Sequence, residues 1–335
     1  MLRAPCRMKY IHVPVMLGEV LEYLDPKPGE KFMDCTLGGG GYTAALAERV
    51  GKKGLVAAFD LDNLAIEHAR KRFEKNNNIK IIHGNFKDLH KIMAAGESAE
   101  IAARADSEIP EVPVFSGIVF DLGLSSAQLE DRRRGFSFQL DAPLDMAFGQ
   151  RTENAKRTTE YIVNRYPASE LARILREYGE ERFAGRIARA IVQARKEGEI
   201  KSTGELVNII GGSVPAVYRH NKKIHFATRA FQALRIATND ELGNLENALP
   251  QAVRILKRGG RIAVVSYHSL EDRIVKNFFK TESRNCVCPA EIPVCQCGHK
   301  AVLKIITKKT VLPAAEEVAA NPRARSAKMR VAEKI

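Results

Sequence analysis

The chain has 335 residues, 45% of them apolar and 28% charged, which is enough apolar material for one large core or two linked ones. No stretch approaches the roughly 20 unbroken apolar residues of a membrane span, and Met1 to Val20 lacks the apolar run of a signal peptide, so a cytoplasmic protein is expected. Lys and Arg total 53 against 40 Asp and Glu, and the formal charge of +13 favours a polyanionic partner, with an anionic membrane the weakest case because neither end carries a basic amphipathic anchor.

In chain order, Lys31-Phe-Met-Asp34 is the first short apolar run that ends on an acidic residue. Leu55-Val-Ala-Ala-Phe-Asp60, Ile79-Lys-Ile-Ile-His83, Phe115-Ser-Gly-Ile-Val-Phe-Asp121 and Arg261-Ile-Ala-Val-Val-Ser-Tyr267 follow, the last introduced by the turn Arg258-Gly-Gly260. Helix-like segments separate the runs, and this alternation predicts an α/β fold with a doubly wound parallel sheet. Residues 94–113, rich in Ala, Glu and Pro, are expected to be a surface insertion.

Between the fourth and fifth runs lie roughly 140 residues with little strand character, which predicts an inserted helical domain with helices over 169–178, 179–197 and 228–249. There Phe183, Ile187, Ile191 and Ala194 recur at helical spacing, while Arg182, Arg186 and Arg189 share another face that reads as solvated. Residues 302–312 suggest a hairpin. In Asn321-Pro-Arg-Ala-Arg-Ser-Ala-Lys-Met-Arg330, four basic residues in ten positions suggest a tail that meets phosphate or is mobile. The expected division is 9–130 and 236–312 for the two parts of the core, 131–235 for the insertion and 313–335 for the tail.

The chemistry concentrates where the runs end. After the first comes Asp34-Cys-Thr-Leu-Gly-Gly-Gly-Gly-Tyr-Thr43, whose glycines let the backbone turn tightly and approach a nucleotide-like ligand. The loop fits neither G-x-G-x-x-G, since Thr43 holds the third position, nor the P-loop, which counts against hydride transfer by a nicotinamide dehydrogenase and against ATP hydrolysis. Asp60 ends the second run where nucleotide-binding sheets place a carboxylate on the ribose hydroxyls; Asp62 is its rival, and helix capping is the structural reading for either. His83-Gly-Asn-Phe86 offers a ring for a base, or a core residue. Asp121-Leu-Gly-Leu-Ser-Ser126, with Gln128, brings a carboxylate, two hydroxyls and an amide to the carboxyl edge of the sheet, where ligands bind in such folds.

These segments resemble the bacterial ribosomal RNA small subunit methyltransferase H family, the 16S rRNA (cytosine-N(4))-methyltransferases, over nearly the whole chain. The likeness rests on His12-Val-Pro-Val-Met-Leu17, the glycine loop, Asp121 to Ser126, Arg134-Gly-Phe-Ser-Phe138, Pro143-Leu-Asp-Met146, Tyr178-Gly-Glu-Glu-Arg-Phe183, Ala230-Phe-Gln-Ala-Leu-Arg235, His268-Ser-Leu-Glu-Asp-Arg273 and the 321–330 segment. It implies a Rossmann-like S-adenosylmethionine domain with an inserted helical domain; because that insertion sits in sequence between two strands whose carboxyl ends flank the site, it is expected to help hold RNA. The implied substrate is a cytidine in the decoding region of 16S ribosomal RNA within the small subunit. It also implies cofactor contacts from Gly40, Gly41, Tyr42, Asp60, Phe86, Asp121 and Gln128. Cys35 and Tyr42 stand where the family usually has Gly and His.

The Asp/Asn/Ser-Pro-Pro-aromatic tetrapeptide of many amino-group methyltransferases is missing. Asp121, Ser125 or Ser126 are then candidates to accept from the target amine, and Phe136 or Phe138 to stack on the base. His268 reads as structural or substrate-positioning. Cys286, Cys288, Cys295 and Cys297 form two C-x-C pairs that suit either zinc or a reduced surface loop, C-x-C being less diagnostic than C-x-x-C. The other classes weighed are a DNA amino-methyltransferase, which would need no ribosomal subunit, and a non-catalytic assembly factor that binds ribosomal RNA through its basic surface.

Overall fold

A computed structural model describes residues 14–89, 114–125, 128–129, 131, 133–139, 141–149, 158–220, 224–289, 291–292 and 294–335. The expected insertion at 94–113 lies outside them. The chain divides into two compact units, one built from the segments up to Gly123 and from Leu242 onward, the other from Leu124–Glu241.

The first unit is a seven-stranded sheet of order β3-β2-β1-β4-β5-β7-β6. Strands β1 (Lys31–Asp34), β2 (Leu55–Asp60), β3 (Ile79–His83), β4 (Phe115–Leu122) and β5 (Leu256–Ser266) fall on the five apolar runs and pair in parallel. Successive side chains point to opposite faces of the sheet and both faces are packed, which explains why these runs are apolar along most of their length. Met33, Phe59, Ile118, Phe120 and Val264 pack on one face with Leu245, Leu249 and Val253 of a long helix, Glu241–Ile255. Phe32, Val56, Val119, Ala263 and Val265 pack on the other with Val20 and Leu24 of α1 (Leu17–Leu24) and Leu46 and Val50 of α2 (Gly41–Val50).

The C-terminal segment departs from expectation. Residues 328–334 are β7, antiparallel between β5 and the short β6 (Leu303–Ile305), and so belong to the sheet rather than to a mobile or phosphate-bound tail. Its charges hid it: only Met329, Val331 and Ala332 turn fully into the core, while Arg330 forms a two-pronged pair with Asp272 (2.6 and 3.0 Å) and Glu333 meets Arg261 at 3.0 Å. The 302–312 hairpin is likewise replaced, because β6 pairs with β7 and Val311 bridges to Met329.

The second unit is helical. Helices at Thr159–Arg165, Ala168–Glu177, Ala184–Ala194, Thr203–Ser213 and Thr228–Asn239 enclose a core that includes Ile162, Leu171, Ile187, Ile191, Leu206, Phe231 and Leu234. The helix expected over 179–197 starts at Ala184 because Tyr178 to Phe183 form a turn with Glu180 at φ 49°. Inside that turn the buried Glu181 accepts from the Phe183 N–H and the Tyr218 hydroxyl. Arg182, Arg186 and Arg189 are exposed, and Arg182 lies over the rings of Phe183 and Tyr218.

Removing Arg330 strands Asp272, whose side chain is only 14% exposed. Arg330→Ala is expected to cost about 3 kcal/mol of stability in a denaturant titration; an unchanged midpoint would show that β7 is not held this way.

Candidate active site

The order of the sheet locates the site. Its strand sequence reverses direction between β1 and β4, and open sheets of this kind receive ligands beyond the carboxyl ends of the strands at such a reversal. Asp34 ends β1, Asp60 ends β2, and Asp121 lies at the end of β4, opposite Val265 of β5. In the parallel register Asp34 is level with Ala58 and Val119, so Asp60 and Asp121 both stand two residues beyond it and the three carboxylates converge on one edge.

Asp34 is fully buried and is held by the Thr43 hydroxyl at 2.7 Å and the Thr36 N–H at 3.1 Å, which gives it a structural role. Asp60 is half-buried and fixed from both sides: Oδ2 accepts the Gly38 N–H and Oδ1 the Asp62 N–H, each at 2.8 Å. A carboxylate oxygen accepts two hydrogen bonds, so each retains capacity for one more donor, as a pair of ribose hydroxyls requires. Asp62 is the capping residue: its Oδ1 accepts the Leu64 N–H at the start of the helix Asn63–Arg72.

The glycines of the loop have separable reasons. Gly40 has φ 74°, and a Cβ there would lie 2.7 Å from the Phe73 ring; at Gly41 it would lie 2.6 Å from the ring of Pro14. Gly40 also serves as N-cap of α2 with no side chain to cap it, so the first N–H groups of that helix face the same edge. Tyr42 is buried and its hydroxyl donates to the Val15 carbonyl. Its side chain is thus committed to the core, which leaves only its backbone for the contact that the resemblance implies.

Asp121 accepts the Tyr267 hydroxyl on Oδ1 at 2.8 Å, and its N–H donates to the Thr36 hydroxyl at 2.7 Å. Burial pushes its carboxyl up to about 7, the Tyr267 hydrogen bond opposes this, and the charges of Asp34 and Glu271 add to it. Burial likewise raises Asp60 to about 6, with the Asp62 and Gly38 N–H groups opposing and the charges of Asp62 and Asp34 adding. The edge is an electron-rich site whose carboxylates are costly to ionise without a positive charge beside them. Phe86 is half-buried and meets Phe120 edge-on at 5.6 Å, which suits either a core role or a ring laid against a base.

Tyr267 and Thr36 are site residues that sequence reasoning missed. Tyr267 directly follows Ser266, which pairs with Leu122, so the register of β4 and β5 was the signal that could have found it.

Several other candidates have local duties. In the second unit Ser125 and Gln128 cap one another: the Ser125 N–H donates to the Gln128 carboxamide oxygen at 2.9 Å and the Gln128 N–H to the Ser125 hydroxyl at 3.2 Å. Ser126 lies outside the described residues. Phe136 is buried and stacked on Phe148, and Phe138 stacks on His225 and meets Phe231 edge-on, so both rings belong to the helical core. His268 is the N-cap of the helix Ser269–Glu282 and forms a capping box with Glu271, a structural role.

The chain matches, over residues 9–335, the model of a family described as the MraW methylase family. It is 45% identical over 329 residues to a ribosomal RNA small subunit methyltransferase H from Heliobacterium modesticaldum, covering 98% of this chain and 100% of that one. Proteins of the same name from Halothermothrix orenii (45% over 324 residues, 97% and 98% covered) and Geobacter sulfurreducens (45% over 329 residues, 98% and 100% covered) are similarly close.

The raised value of Asp121 makes a stability prediction. Because the folded chain holds this proton more tightly than the unfolded chain, the group's contribution to stability is full below 3.8 and is lost as pH rises through about 7. Asp121→Asn keeps an acceptor for Tyr267 and removes the charge. In calorimetry at pH 8 the ligand-free variant should melt a few degrees above the parent, and at pH 6 the gap should narrow. A variant that melts lower at pH 8 would contradict this.

Proposed function

The chain belongs to the MraW methylase family, and from that membership we propose that it transfers a methyl group from S-adenosylmethionine to the exocyclic N(4) amine of a cytidine in 16S ribosomal RNA. The observation that carries this reading is the pair of half-buried carboxylates, Asp60 and Asp121, held on a glycine-loop edge at the reversal point of the sheet. The donor set fits the cofactor. Asp60 has the remaining acceptor capacity for two ribose hydroxyls, and the first N–H groups of α2, at Gly41 and Tyr42, suit its carboxylate. Asp121 suits its ammonium group and Phe86 its adenine, and the family resemblance adds contacts from Gly40 and Gln128.

S-adenosylmethionine supplies, when bound, a methyl group made electrophilic by its attachment to a sulfonium. The remaining work is binding and orientation. A cytosine amine is a weak nucleophile because its lone pair is delocalised into the ring, so holding it in line with the methyl group accounts for much of the rate. The carboxylates at the edge favour a cation; after transfer the product has lost the sulfonium charge, so the same carboxylates hold it less tightly. Because Ser125 serves as a turn cap, no catalytic role is assigned to it, and the amine proton can pass to water after transfer.

A substrate of 16S rRNA accords with the formal charge of +13 and with the exposed arginines of the helical unit. Assembled small subunits are the expected form of the substrate and the cytoplasm the expected location. No helix among the described residues is long and apolar enough to cross a membrane. A DNA amino-methyltransferase is not favoured, since the relatives are named for ribosomal RNA.

The test is methyl transfer from labelled S-adenosylmethionine to small subunits from a strain lacking this enzyme, followed by digestion and identification of the labelled nucleoside. N(4)-methylated cytidine is expected. Asp60→Asn is expected to raise the KM for the donor at least tenfold, corresponding to the loss of about 1.4 kcal/mol or more from hydrogen bonds to a charged group. Tight donor binding without label in RNA would support the non-catalytic assembly factor instead.

A further inference from the structure

Between the helix Ser269–Glu282 and β6 the chain makes an excursion that the carboxylate edge does not use. Among its described residues no apolar side chain holds it together: Val287, Ile292 and Val294 are 41%, 36% and 69% exposed. Its base is pinned by the Val302 N–H on the Glu282 carbonyl (2.9 Å) and the Ala301 N–H on the Asn285 side chain (3.2 Å). What its two C-x-C arms do share is sulfur. The Sγ atoms of Cys286, Cys288, Cys295 and Cys297 all lie within 4.8 Å of one another.

We propose that these four cysteines bind one zinc ion in a closed tetrahedral site that orders this excursion. The spacing is that of a coordination sphere. With Zn–S bonds of about 2.3 Å, the sulfurs of a tetrahedral site stand about 3.8 Å apart. Cys297 Sγ is 3.8 Å from Cys286 Sγ and 3.6 Å from Cys295 Sγ. These separations are far beyond the length of a disulfide bond, about 2.05 Å, and the four cysteines are unpaired.

The surrounding backbone is arranged for thiolates. The Val287 N–H donates to Cys297 Sγ, the Gln296 N–H to Cys288 Sγ and the Cys288 N–H to Cys286 Sγ, each at 3.4 Å. Two of these three bonds run from one C-x-C arm to a sulfur on the other, so each arm orients its partner's ligand as outer-shell donors do in metal sites. Gly298, with φ 61° and open space around it, turns the chain immediately after the last ligand. Four sulfur ligands leave no open coordination position, which makes the ion structural rather than catalytic. On binding, each thiol releases its proton to solvent, and four thiolates with one divalent cation leave a net charge of −2 on the cluster. With Val287, Ile292 and Val294 exposed, the ion would supply the free energy that orders the excursion.

The experiment is metal analysis of the full-length protein, purified reduced and without chelator, alongside a Cys288→Ser/Cys295→Ser double variant. The wild type should carry about one zinc per chain and the variant less than about a fifth of that, as expected when a four-ligand site loses two ligands. The variant should still bind S-adenosylmethionine, and trypsin should cleave it at Arg284 and Lys300 at least tenfold faster than the wild type. If the variant does not fold, reconstituting the metal-depleted wild type with cobalt(II) decides. Thiolate-to-cobalt charge transfer with the intense d–d bands of a tetrahedral site supports the proposal, and their absence overturns it. Substoichiometric zinc in wild type that added zinc does not fill, iron in place of zinc, or full zinc in the variant would each overturn it.

Discussion

The register of the parallel ladder is the constraint on which the site depends. Phe32 to Asp34 pair with both Val56 to Ala58 and Gly117 to Val119, so β2 and β4 each run two residues past the level of Asp34 to reach Asp60 and Asp121, which stand level with each other at the same edge. The same pairing that buries Phe32, Phe59 and Phe120 buries Asp34 fully and Asp60 and Asp121 in part, and burial raises the carboxyl of each. The fold thus concentrates negative charge where its own core makes ionisation expensive. Thr43, Gly38, Asp62 and Tyr267 offset part of that cost through hydrogen bonds. A cationic ligand would offset more, which is why the proposed sulfonium donor suits this edge.

Much of this was legible in the sequence because buried parallel strands read as short apolar runs with a definite end. All five runs are strands, and Asp60 and Asp121 stand at strand ends as the runs predicted. What was not legible has a common cause: it depends on partners distant in sequence. β7 reads as a basic tail until Asp272 and Arg261 are seen to absorb its charges. Tyr267 reads as one aromatic among several until its hydroxyl is found on Asp121, 146 residues away in the chain. Phe136 and Phe138 read as candidates to stack on a base until Phe148, Phe231 and His225 are found packed against them.

The motifs that carry the family resemblance divide accordingly between chemistry and architecture. Gly135 has φ 68°, and a Cβ there would stand 2.2 Å from the Pro143 carbonyl oxygen, so the segments around Arg134 and Pro143 are matched by packing. Asn239 fastens the same region, donating to the Met146 carbonyl and accepting the Phe148 N–H. The four-glycine loop is mixed: Gly40 and Gly41 answer to Phe73 and Pro14, whereas Gly38 closes the loop onto Asp60. A glycine-rich sequence therefore signals the site without every glycine touching a ligand.

The most direct measurement is the calorimetric affinity of the protein for S-adenosylmethionine and for its neutral-sulfur product, S-adenosylhomocysteine, between pH 6 and pH 8. Ionisation of Asp60 and Asp121 across this range, from values near 6 and 7, strengthens the hold on the extra positive charge. The preference for the donor over the product should rise several-fold with pH, and Asp121→Asn should flatten the rise. A preference that stays constant with pH in the wild type, or no affinity for either ligand, would contradict the claim that this carboxylate edge holds a cationic methyl donor.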